Sequence, residues 1–341
     1  MRAGRGVVPT IRDVARLAGV SVGTVSRVLN RKATVARDIR LGVEKAIVAL
    51  GYHPSPLAQG MRGRATRTVG CIIRDINIAG LARFVRAAHD TLADAGYALI
   101  LSNSEGRIAR ERELVGVMAA RRADALLIAQ STEDDPAMEE SLLRAGIPVV
   151  VFDRARPAWA DAVLVDHRAG VRAAAARLIA LGHRRIALLT GSLALYPARE
   201  RVAGYVAAHD AAGVARDPGL VRTGSFHPDF GFAQSSLLLG QAMPPTAIIA
   251  GGIDMLPGVI RAVRAHGMRL PDDLSLIAAG TSDLAELLEP PVSVVRWDYA
   301  EVGRRAAALA LQRIRGDRDD EPRRVVVPTE LAVRGSCAPP R

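Results

Sequence analysis

The chain has 341 residues, of which 49% are hydrophobic and 24% are charged, and these proportions are typical of a globular protein with two or three domains. They exclude a collagen, a coiled coil and a chain that is disordered throughout. The net charge of +11 is concentrated at one end, because residues 1–67 contain 13 Lys and Arg against 3 Asp and Glu, whereas residues 68–341 contain 33 against 32. A basic N-terminal segment on a neutral body indicates an anionic partner for that segment, most often nucleic acid and less often a membrane surface.

Signals for membranes, secretion and metal binding are absent from the sequence. No apolar run approaches the ~18 residues that a membrane span needs. Residues 1–9 lack the apolar core of a secretion signal, so we expect the protein in the cytoplasm and away from membranes. The two cysteines, Cys71 and Cys337, lie in contexts that indicate neither a disulfide nor a metal site.

Two short helices are predicted near the N-terminus. Apolar residues recur at helical spacing from Ile11 to Ala18, behind Thr10 as the N-cap. Gly19 permits a sharp turn, and Ser21 then caps a second helix. Such a pair forms the helix-turn-helix geometry, in which the second helix enters the major groove of duplex DNA. The residues expected to contact DNA from this motif are Thr10, Ser21, Val22, Gly23, Thr24, Ser26, Arg27 and Asn30.

The outer face of the second helix is expected to present Val22, Gly23, Ser26 and Arg27. Arg27 can make a bidentate contact to guanine, which contributes about 1–3 kcal/mol of discrimination. Val22 can meet a thymine methyl group. A small helical hairpin without a role in DNA binding is the alternative interpretation.

A third helix and a linker are predicted next. The third helix runs from Ala36 to Leu50, with Gly51 as its stop, and should close a three-helix core. A short helix in the following linker would form only against a partner, because isolated helices of this length are marginal in water. These patterns predict a DNA-binding domain at residues 9–53, a linker at 54–66 and an effector-binding and dimerisation domain at 67–336.

From residue 68 onward, short apolar runs alternate with helical patterns. The first set of runs is VGCII, ALILS, ALLIA and PVVVF; the second set begins with AVLVD near residue 162 and continues through RRIALLTG, TAIIAGG and LSLIAAG. Helices are predicted at about 79–95, 108–120, 137–145, 167–181, 198–212 and 255–266. This rhythm predicts an α/β fold of two halves, each a parallel sheet with helices on both faces. We expect the chain to cross between the halves near residues 153–162 and 292–298.

Polar side chains directly after the predicted strands are candidate ligand contacts. Ligands of open α/β sheets bind at the carboxyl ends of the strands, and a cleft between two such halves is the usual small-molecule site. Each candidate has an alternative interpretation as a helix cap or a surface ion pair. The candidates are Asp75, Asn77, Asp153, Arg154, Arg199, Arg201, Asp254 and Thr281 to Asp283.

The segments TIRDVARLAGVS and TVSRVLN in the head and LGYHPSPLAQGMR in the linker resemble the LacI/GalR family of bacterial transcription regulators, over nearly the whole chain. The resemblance implies a helix-turn-helix domain followed by two parallel-sheet subdomains of type I periplasmic-binding-protein architecture. It also implies that the linker helices of a homodimer pack together in the minor groove. Met61 then occupies a position usually held by leucine, and methionine can unstack a base step. Ala58 is small enough to let the paired helices approach closely.

The same resemblance implies an effector that closes the cleft. It carries over Asp75, Asp153 with Arg154, the segment with Arg199 and Arg201, and Phe226 as a ring-stacking platform. Three segments depart from the family pattern: residues 78–81 replace Asn-Pro-Phe-Phe, 252–254 replace an Asn-Asp pair, and 279–282 replace Gly-Phe-Asp-Asp. These departures make a common neutral sugar less certain as the effector.

Two further roles follow from the same region. Arg199 and Arg201 together are candidates to hold a carboxylate or phosphate through planar forks of donors. Trp297 either lines the pocket or lies at the crossing between the halves.

Motifs for nucleotide binding and catalysis are missing. No GxGxxG or GxSxG motif follows a predicted strand, and neither GxxxxGK[ST] nor HExxH occurs. We therefore expect no cofactor and no enzyme. The sequence predicts a regulator, most simply a repressor, that binds a pseudo-palindromic operator in double-stranded DNA as a homodimer and responds to a sugar or sugar derivative. The alternatives are a ligand-binding protein without operator function, which the basic head opposes, and a cytoplasmic α/β enzyme, which the absent motifs oppose.

Overall fold

The computed structural model describes residues 9–29, 35–52, 66–78, 80–155, 157–316 and 321–341. The chain divides into two compact units, residues 1–66 and 67–341. Within the described ranges, no helix is both long and apolar enough to cross a membrane.

The N-terminal unit contains three helices where the sequence predicts them. They are α1 (Ile11–Leu17), α2 (Val22–Leu29) and α3 (Arg37–Leu50). At the start of α1, the backbone N–H and the hydroxyl of Thr10 donate to the Asp13 carboxylate at 2.9 and 2.6 Å. Gly19 takes a left-handed conformation with φ 66° in the turn. Ser21 Oγ then accepts from the backbone N–H of Thr24 at 3.1 Å, which caps α2.

These three helices enclose one small apolar core. Its buried members are Val14, Ala15, Val25, Val28, Val35, Val43, Ala46 and Tyr52. Gly51 ends α3 with φ 58°, which confirms the predicted stop. Val22 differs from expectation, because it is half-buried against this core and does not face outward.

The C-terminal unit alternates strands and helices. In its described residues the strands are β1 (Thr68–Ile73), β2 (Ala98–Asn103), β3 (Ala125–Ile128), β4 (Val149–Phe152), β5 (Asp161–Val165), β6 (Ile186–Gly191), β7 (Val221–Gly224), β8 (Ala247–Ala250), β9 (Ser275–Ala279), β10 (Ser293–Arg296), β11 (Arg324–Val327) and β12 (Glu330–Ala332). The α-helices are α4 (Leu81–Asp94), α5 (Ile108–Ala120), α6 (Pro136–Ala145), α7 (His167–Ala180), α8 (Tyr196–Ala212), α9 (Pro228–Leu239), α10 (Leu256–Ala265), α11 (Asp283–Leu287) and α12 (Tyr299–Arg315).

The strands form two six-stranded sheets, one in each subdomain. The first sheet has the order β11-β5-β4-β3-β1-β2, and all its neighbouring strands are parallel. The second has the order β12-β10-β9-β8-β6-β7 and is parallel except for β12, which is antiparallel to β10. Apolar clusters cover both faces of each sheet, which explains the nearly continuous apolar runs of the strands. The predicted fold class is confirmed.

The chain crosses between the two subdomains three times. It leaves the first sheet after β5, returns after β10, and crosses again between β11 and β12. The prediction that the AVLVD run opens the second half is wrong, because β5 pairs with β4 in the first sheet. The first crossing therefore follows residue 165 and does not fall within 153–162, whereas the crossing predicted near 292–298 is confirmed. The prediction also omitted the helices α9, α11 and α12 and the strands β7, β10, β11 and β12.

Candidate functional site

The first candidate surface is the exposed face of α2. Ser21, Gly23 and Arg27 are exposed, whereas Thr24 and Ser26 are half-buried. Arg27 Nη2 donates to Thr24 Oγ1 at 3.3 Å, which places the guanidinium beside the first turn of the helix. The first turn also carries the positive end of the helix dipole, so this face favours an anionic partner.

Positive side chains are also exposed on the other helices of the unit. Arg12 and Arg16 are exposed on α1, and Arg37 and Lys45 are exposed on α3. Such a distribution suits contacts to the phosphates of a duplex, which position a protein on DNA without reading its sequence. The predicted DNA contacts Asn30, Ala58 and Met61 lie outside the described residues.

The second candidate site is a pocket between the two subdomains of the C-terminal unit, at the carboxyl ends of strands from both sheets. We call it the inner pocket. Its lining residues are Arg74, Ile78, Leu81, Phe84, Ala129, Phe152, Asp153, Arg154, Val165, Pro197, Arg201, Phe226, Gly252, Ile253, Asp254, Ala279, Trp297, Tyr299 and Val302. Six residues singled out from the sequence meet here, namely Asp153, Arg154, Arg201, Phe226, Asp254 and Trp297.

A buried hydrogen-bond chain connects the two subdomains at this pocket. His167 Nε2 lies 2.8 Å from Asp153 Oδ1, and Arg201 Nη2 lies 3.3 Å from His167 Nδ1. Because a guanidinium can only donate, Nδ1 accepts from Arg201, and Nε2 carries the hydrogen that His167 donates to Asp153. Asp153 follows β4 with a left-handed φ of 51°, an uncommon conformation for a non-glycine residue that aims its carboxylate across the crossing.

The charge states in this chain follow from burial and from neighbouring charges. Burial lowers the pKa of the His167 imidazole, although the nearby Asp153 opposes this effect, so the ring is neutral. Burial alone would raise the pKa of Asp153, but His167, Arg154 and Arg201 together lower it below its ordinary value. Asp153 is therefore a carboxylate, and Arg201 is a buried cation.

The aromatic walls of the inner pocket depend on glycines. A Cβ atom at Gly191 would lie 2.3 Å from the Phe226 ring, and one at Gly252 would lie 2.6 Å from it. The guanidinium carbons of Arg201 and Arg74 stand 5.1 and 5.9 Å from the centre of the same ring. The predicted stacking platform thus lies in the pocket, and its cation–π contacts hold arginines in place.

Trp297 and Tyr299 form the wall near the second crossing. Their ring centres are 5.1 Å apart, and the Trp297 ring also meets the His167 ring edge-on at 5.1 Å. Gly80 makes room for Tyr299, because a Cβ there would lie 2.0 Å from the Tyr299 ring. Both interpretations of Trp297 hold, since it lies at the crossing and lines the pocket.

Other candidates lie outside the inner pocket. Asp75 and Asn77 line an adjoining outer cleft, where Asn77 donates twice to Asp75 Oδ1 at 2.9 Å. Thr281 and Asp283 line a separate groove. Arg199 Nη2 donates to Glu133 Oε2 at 2.5 Å.

The guanidiniums near the pocket therefore have different roles. Because Arg199 is engaged with Glu133 outside the inner pocket, the structure does not support a fork shared by Arg199 and Arg201. Arg154 lines the pocket, but its guanidinium donates to the backbone carbonyls of Gln130 and Asp153. Arg201, with its unpartnered Nε, and Arg74, which contacts the Phe226 ring, are the guanidiniums with donors available to a ligand.

Sequence reasoning missed three residues of this site. Arg74 lies directly after β1, and His167 lies two residues after β5, so the strand-end rule would have identified both. Tyr299 opens α12, which the sequence pattern did not predict. It directly follows the crossing predicted near residues 292–298, which is the signal that could have identified it.

Two family models match the chain: "Bacterial regulatory proteins, lacI family" matches residues 10–55, and "Periplasmic binding protein-like domain" matches residues 175–337. The HTH-type transcriptional regulator CelR of Thermobifida fusca is 36% identical over 339 residues, covering 96% of this chain and 98% of that protein. The HTH-type transcriptional repressor PurR of Vibrio atlanticus (strain LGP32) is 31% identical over 328 residues, with 96% and 98% covered.

Two solved structures of bacterial regulators are also similar to this chain over nearly its whole length. A lac repressor dimer bound to operator and the anti-inducer ONPF has a TM-score of 0.86 at 26% identity, covering 97% of this chain and all 100% of that one. A CelR-cellobiose complex has a TM-score of 0.72 at 34% identity, with 96% and 99% covered. The chain belongs to the LacI family of bacterial transcription regulators.

Proposed function

We propose that this regulator represses transcription as a homodimer on a pseudo-palindromic operator, and that a small molecule in the inner pocket controls its affinity for DNA. The observation that carries the proposal is the exposed polar face of α2, centred on Arg27, in a basic three-helix unit that matches the lacI family model. The proposal includes no catalytic activity and places the protein in the cytoplasm, with its operator.

The residues of the head have distinct proposed roles. Arg27 reads a guanine, and Ser21 and Gly23 allow the helix to approach the bases closely. Thr24 orients Arg27 through the hydrogen bond at 3.3 Å. Thr10, Val22 and Ser26 shape the surface around them, and Asn30, Ala58 and Met61 extend it by the roles that the family resemblance implies.

The inner pocket is placed to transmit a signal. Asp153 comes from the first subdomain and Arg201 from the second, and His167 joins them beside a crossing. A ligand that contacts both walls would favour one spacing of the subdomains. Allosteric coupling of this kind is typically about 1–3 kcal/mol and is reciprocal, so operator DNA would alter ligand affinity by the same factor. The cellobiose complex of CelR supports a ligand from the class of sugars and their derivatives.

A gel-shift titration with DNA that flanks the chain's own gene tests the proposal. We expect a specific complex with a palindromic site, whose affinity falls steeply between about 50 and 200 mM salt because phosphate contacts release counterions. Footprinting should then protect two half-sites symmetrically. Absent binding, or binding that is equal for all sequences, would instead favour a ligand-binding protein without operator function.

A further inference from the structure

We propose that the effector is a hydroxylated ring acid, a sugar acid with one carboxylate, rather than a neutral sugar. The inference rests on the proposed function only in taking the inner pocket as the effector site. It assigns the carboxylate to the inner pocket, beside Arg201 and Trp297, and the hydroxyl groups to the outer cleft.

Two buried donors of the inner pocket find no partner in the described part of the chain. They are Nε of Arg201 and Nε1 of Trp297, whose side chains belong to residues that are 4% and 9% exposed. Unpartnered buried donors are unusual in folded proteins and are expected at sites that a ligand completes. A ligand placed here must therefore offer acceptor atoms.

Asp153 and Asp254 carry the carboxylate acceptors of the same pocket, and Asp254 also lines the outer cleft. Asp153 Oδ1 already accepts from His167, and the backbone oxygen of Asp153 accepts from Arg154. Much of the remaining wall is apolar, including the stacked rings of Phe84 and Phe152, whose centres are 4.1 Å apart. A neutral sugar would bury several hydroxyl hydrogens against such a wall, which is costly because each needs an acceptor. A carboxylate only accepts, so it matches the available donors.

The charges indicate a single negative charge. Of the charged side chains that line the inner pocket, three are arginines and two are aspartates: Arg74, Arg154, Arg201, Asp153 and Asp254. The surplus is one positive charge, which a monoanion neutralises. A carboxylate also fits the planar fork of one guanidinium, whereas a phosphate dianion would exceed the surplus of one positive charge.

The outer cleft provides the opposite chemistry. It is lined by polar side chains that include Asp75, Asn77, Asn103, Ser131, Ser192 and Ser225. Oδ1 of Asn103 is buried and has no partner among the described residues, so it can accept from a ligand hydroxyl. Polar side chains that can accept are therefore more numerous in the outer cleft than in the inner pocket, which suits a carboxylate at one end of a hydroxylated ring.

Isothermal titration calorimetry on the full chain, without DNA, tests the assignment. The probes are two matched pairs, glucuronate with glucose and galacturonate with galactose, together with glucose 6-phosphate. In at least one pair the acid should bind at least about tenfold more tightly than both its neutral partner and the phosphate, since charge-assisted hydrogen bonds are about twice as strong as neutral ones. Equal binding within both pairs, preference for the phosphate, or no binding of either acid at millimolar concentration would overturn it.

Substitutions test which side chain gives the preference for the acid over the neutral sugar. Arg201→Gln should remove the preference of the chain for the acid, because the amide lacks the charge. The matched control is Arg199→Gln on the same helix, which should leave the preference unchanged because Arg199 pairs with Glu133 outside the inner pocket. Thermal unfolding checks that both variants fold. If Arg201→Gln does not fold, Trp297→Phe keeps the ring, removes the Nε1 donor and should weaken acid binding several-fold.

Failure of this inference is distinguishable from failure of the proposed function. A protein that prefers the acids but shifts no DNA fragment would retain the ligand assignment and lose the repressor. A protein that protects an operator and prefers neutral sugars would remain a repressor with a different effector.

Discussion

Arg27 on α2 and Arg313 on α12 place the same guanidinium in opposite surroundings. Arg27 is exposed, and its Nη2 donates to Thr24 at 3.3 Å. Arg313 is 9% exposed and makes two bonds of 2.8 Å to Asp161. The exposed guanidinium keeps donors available for a partner molecule, whereas the buried one uses its donors to join α12 to β5.

Arg201 combines features of both. It is buried like Arg313, yet its Nε has no partner among the described residues, and its Nη2 reaches only a neutral imidazole and not a carboxylate. The comparison teaches that burial alone does not separate a structural arginine from a ligand-binding one. What separates them is whether the donors of the guanidinium all have partners, and two substitution experiments measure the consequences.

The largest effect is expected at the buried pair. Asp161→Ala leaves Arg313 as an uncompensated buried charge and should lower the free energy of unfolding by about 3–5 kcal/mol. Urea denaturation measures this loss. The matched control is Glu330→Gln, which breaks an exposed pair with Arg296 at 2.9 Å and should cost no more than about 1 kcal/mol.

A double variant tests whether stability needs the ion pair itself or only side chains that fill its space. Replacing both partners, Asp161→Leu together with Arg313→Met, should recover part of the loss, because apolar groups of similar volume often substitute for a buried ion pair. If Asp161→Ala and Glu330→Gln lose similar amounts of stability, the buried pair has no special structural role.

The next largest effect should be on operator binding, with little change in the free energy of unfolding. Arg27→Ala should change the free energy of unfolding by less than about 0.5 kcal/mol, since the side chain is exposed. It should weaken operator binding by about 1–3 kcal/mol per half-site and relax the preference at one base pair of each half-site. Binding to a set of operators with single substitutions measures the preference.

Arg16→Ala on α1 is the control for that experiment. Arg16 is exposed and pairs with Asp13 at 3.4 Å, on a helix that is expected to cross the backbone. Its loss should weaken binding to all sequences alike. An unchanged base preference in Arg27→Ala would show that Arg27 contacts phosphate and does not read a base.

The N-terminal unit and the cleft differ in how much of their structure the sequence could predict. The head was predicted closely because its signals are local: Thr10 and Asp13 start α1, Gly19 makes the turn, and Gly51 ends α3. Each signal acts on residues only a few positions away. The partial burial of Val22 and Ser26 was missed, because it depends on packing among the three helices.

The cleft depends on contacts that are distant in sequence. Asp153 and Arg201 were found because parallel strands and the helices after them bring residues to a shared edge. Arg199 and Arg201 were expected to act together, but positions two apart on a helix point about 200° apart, so the two guanidiniums meet different partners. The sequence also could not predict which sheet contains β5. Its apolar run suits either sheet, and only its pairing with β4 assigns it to the first.

The smallest effect should come from pH, through His167 and His183, two of the histidines that are buried in the C-terminal unit. His183 Nε2 donates to Ala338 O at 2.9 Å, and its Nδ1 accepts from Thr246 Oγ1 at 2.8 Å. Burial lowers the pKa of His183, as it does that of His167. Below about pH 6.5 the unfolded chain therefore binds protons that the folded chain does not, and stability falls as the pH falls.

Urea denaturation at about pH 7.5 and pH 5.5 measures this loss, which spans the ordinary histidine pKa. His183→Gln should reduce the difference between the two pH values even if it lowers stability at both, because it removes the proton-binding group and not merely its hydrogen bonds. His167→Gln should reduce the difference by the same reasoning, and the two reductions should add, since the histidines share no partner. Carboxylates with a lowered pKa such as Asp153 lose their contribution only in a more acidic range, so a pH dependence that is identical in the wild-type chain and in both variants would mean that neither histidine controls it.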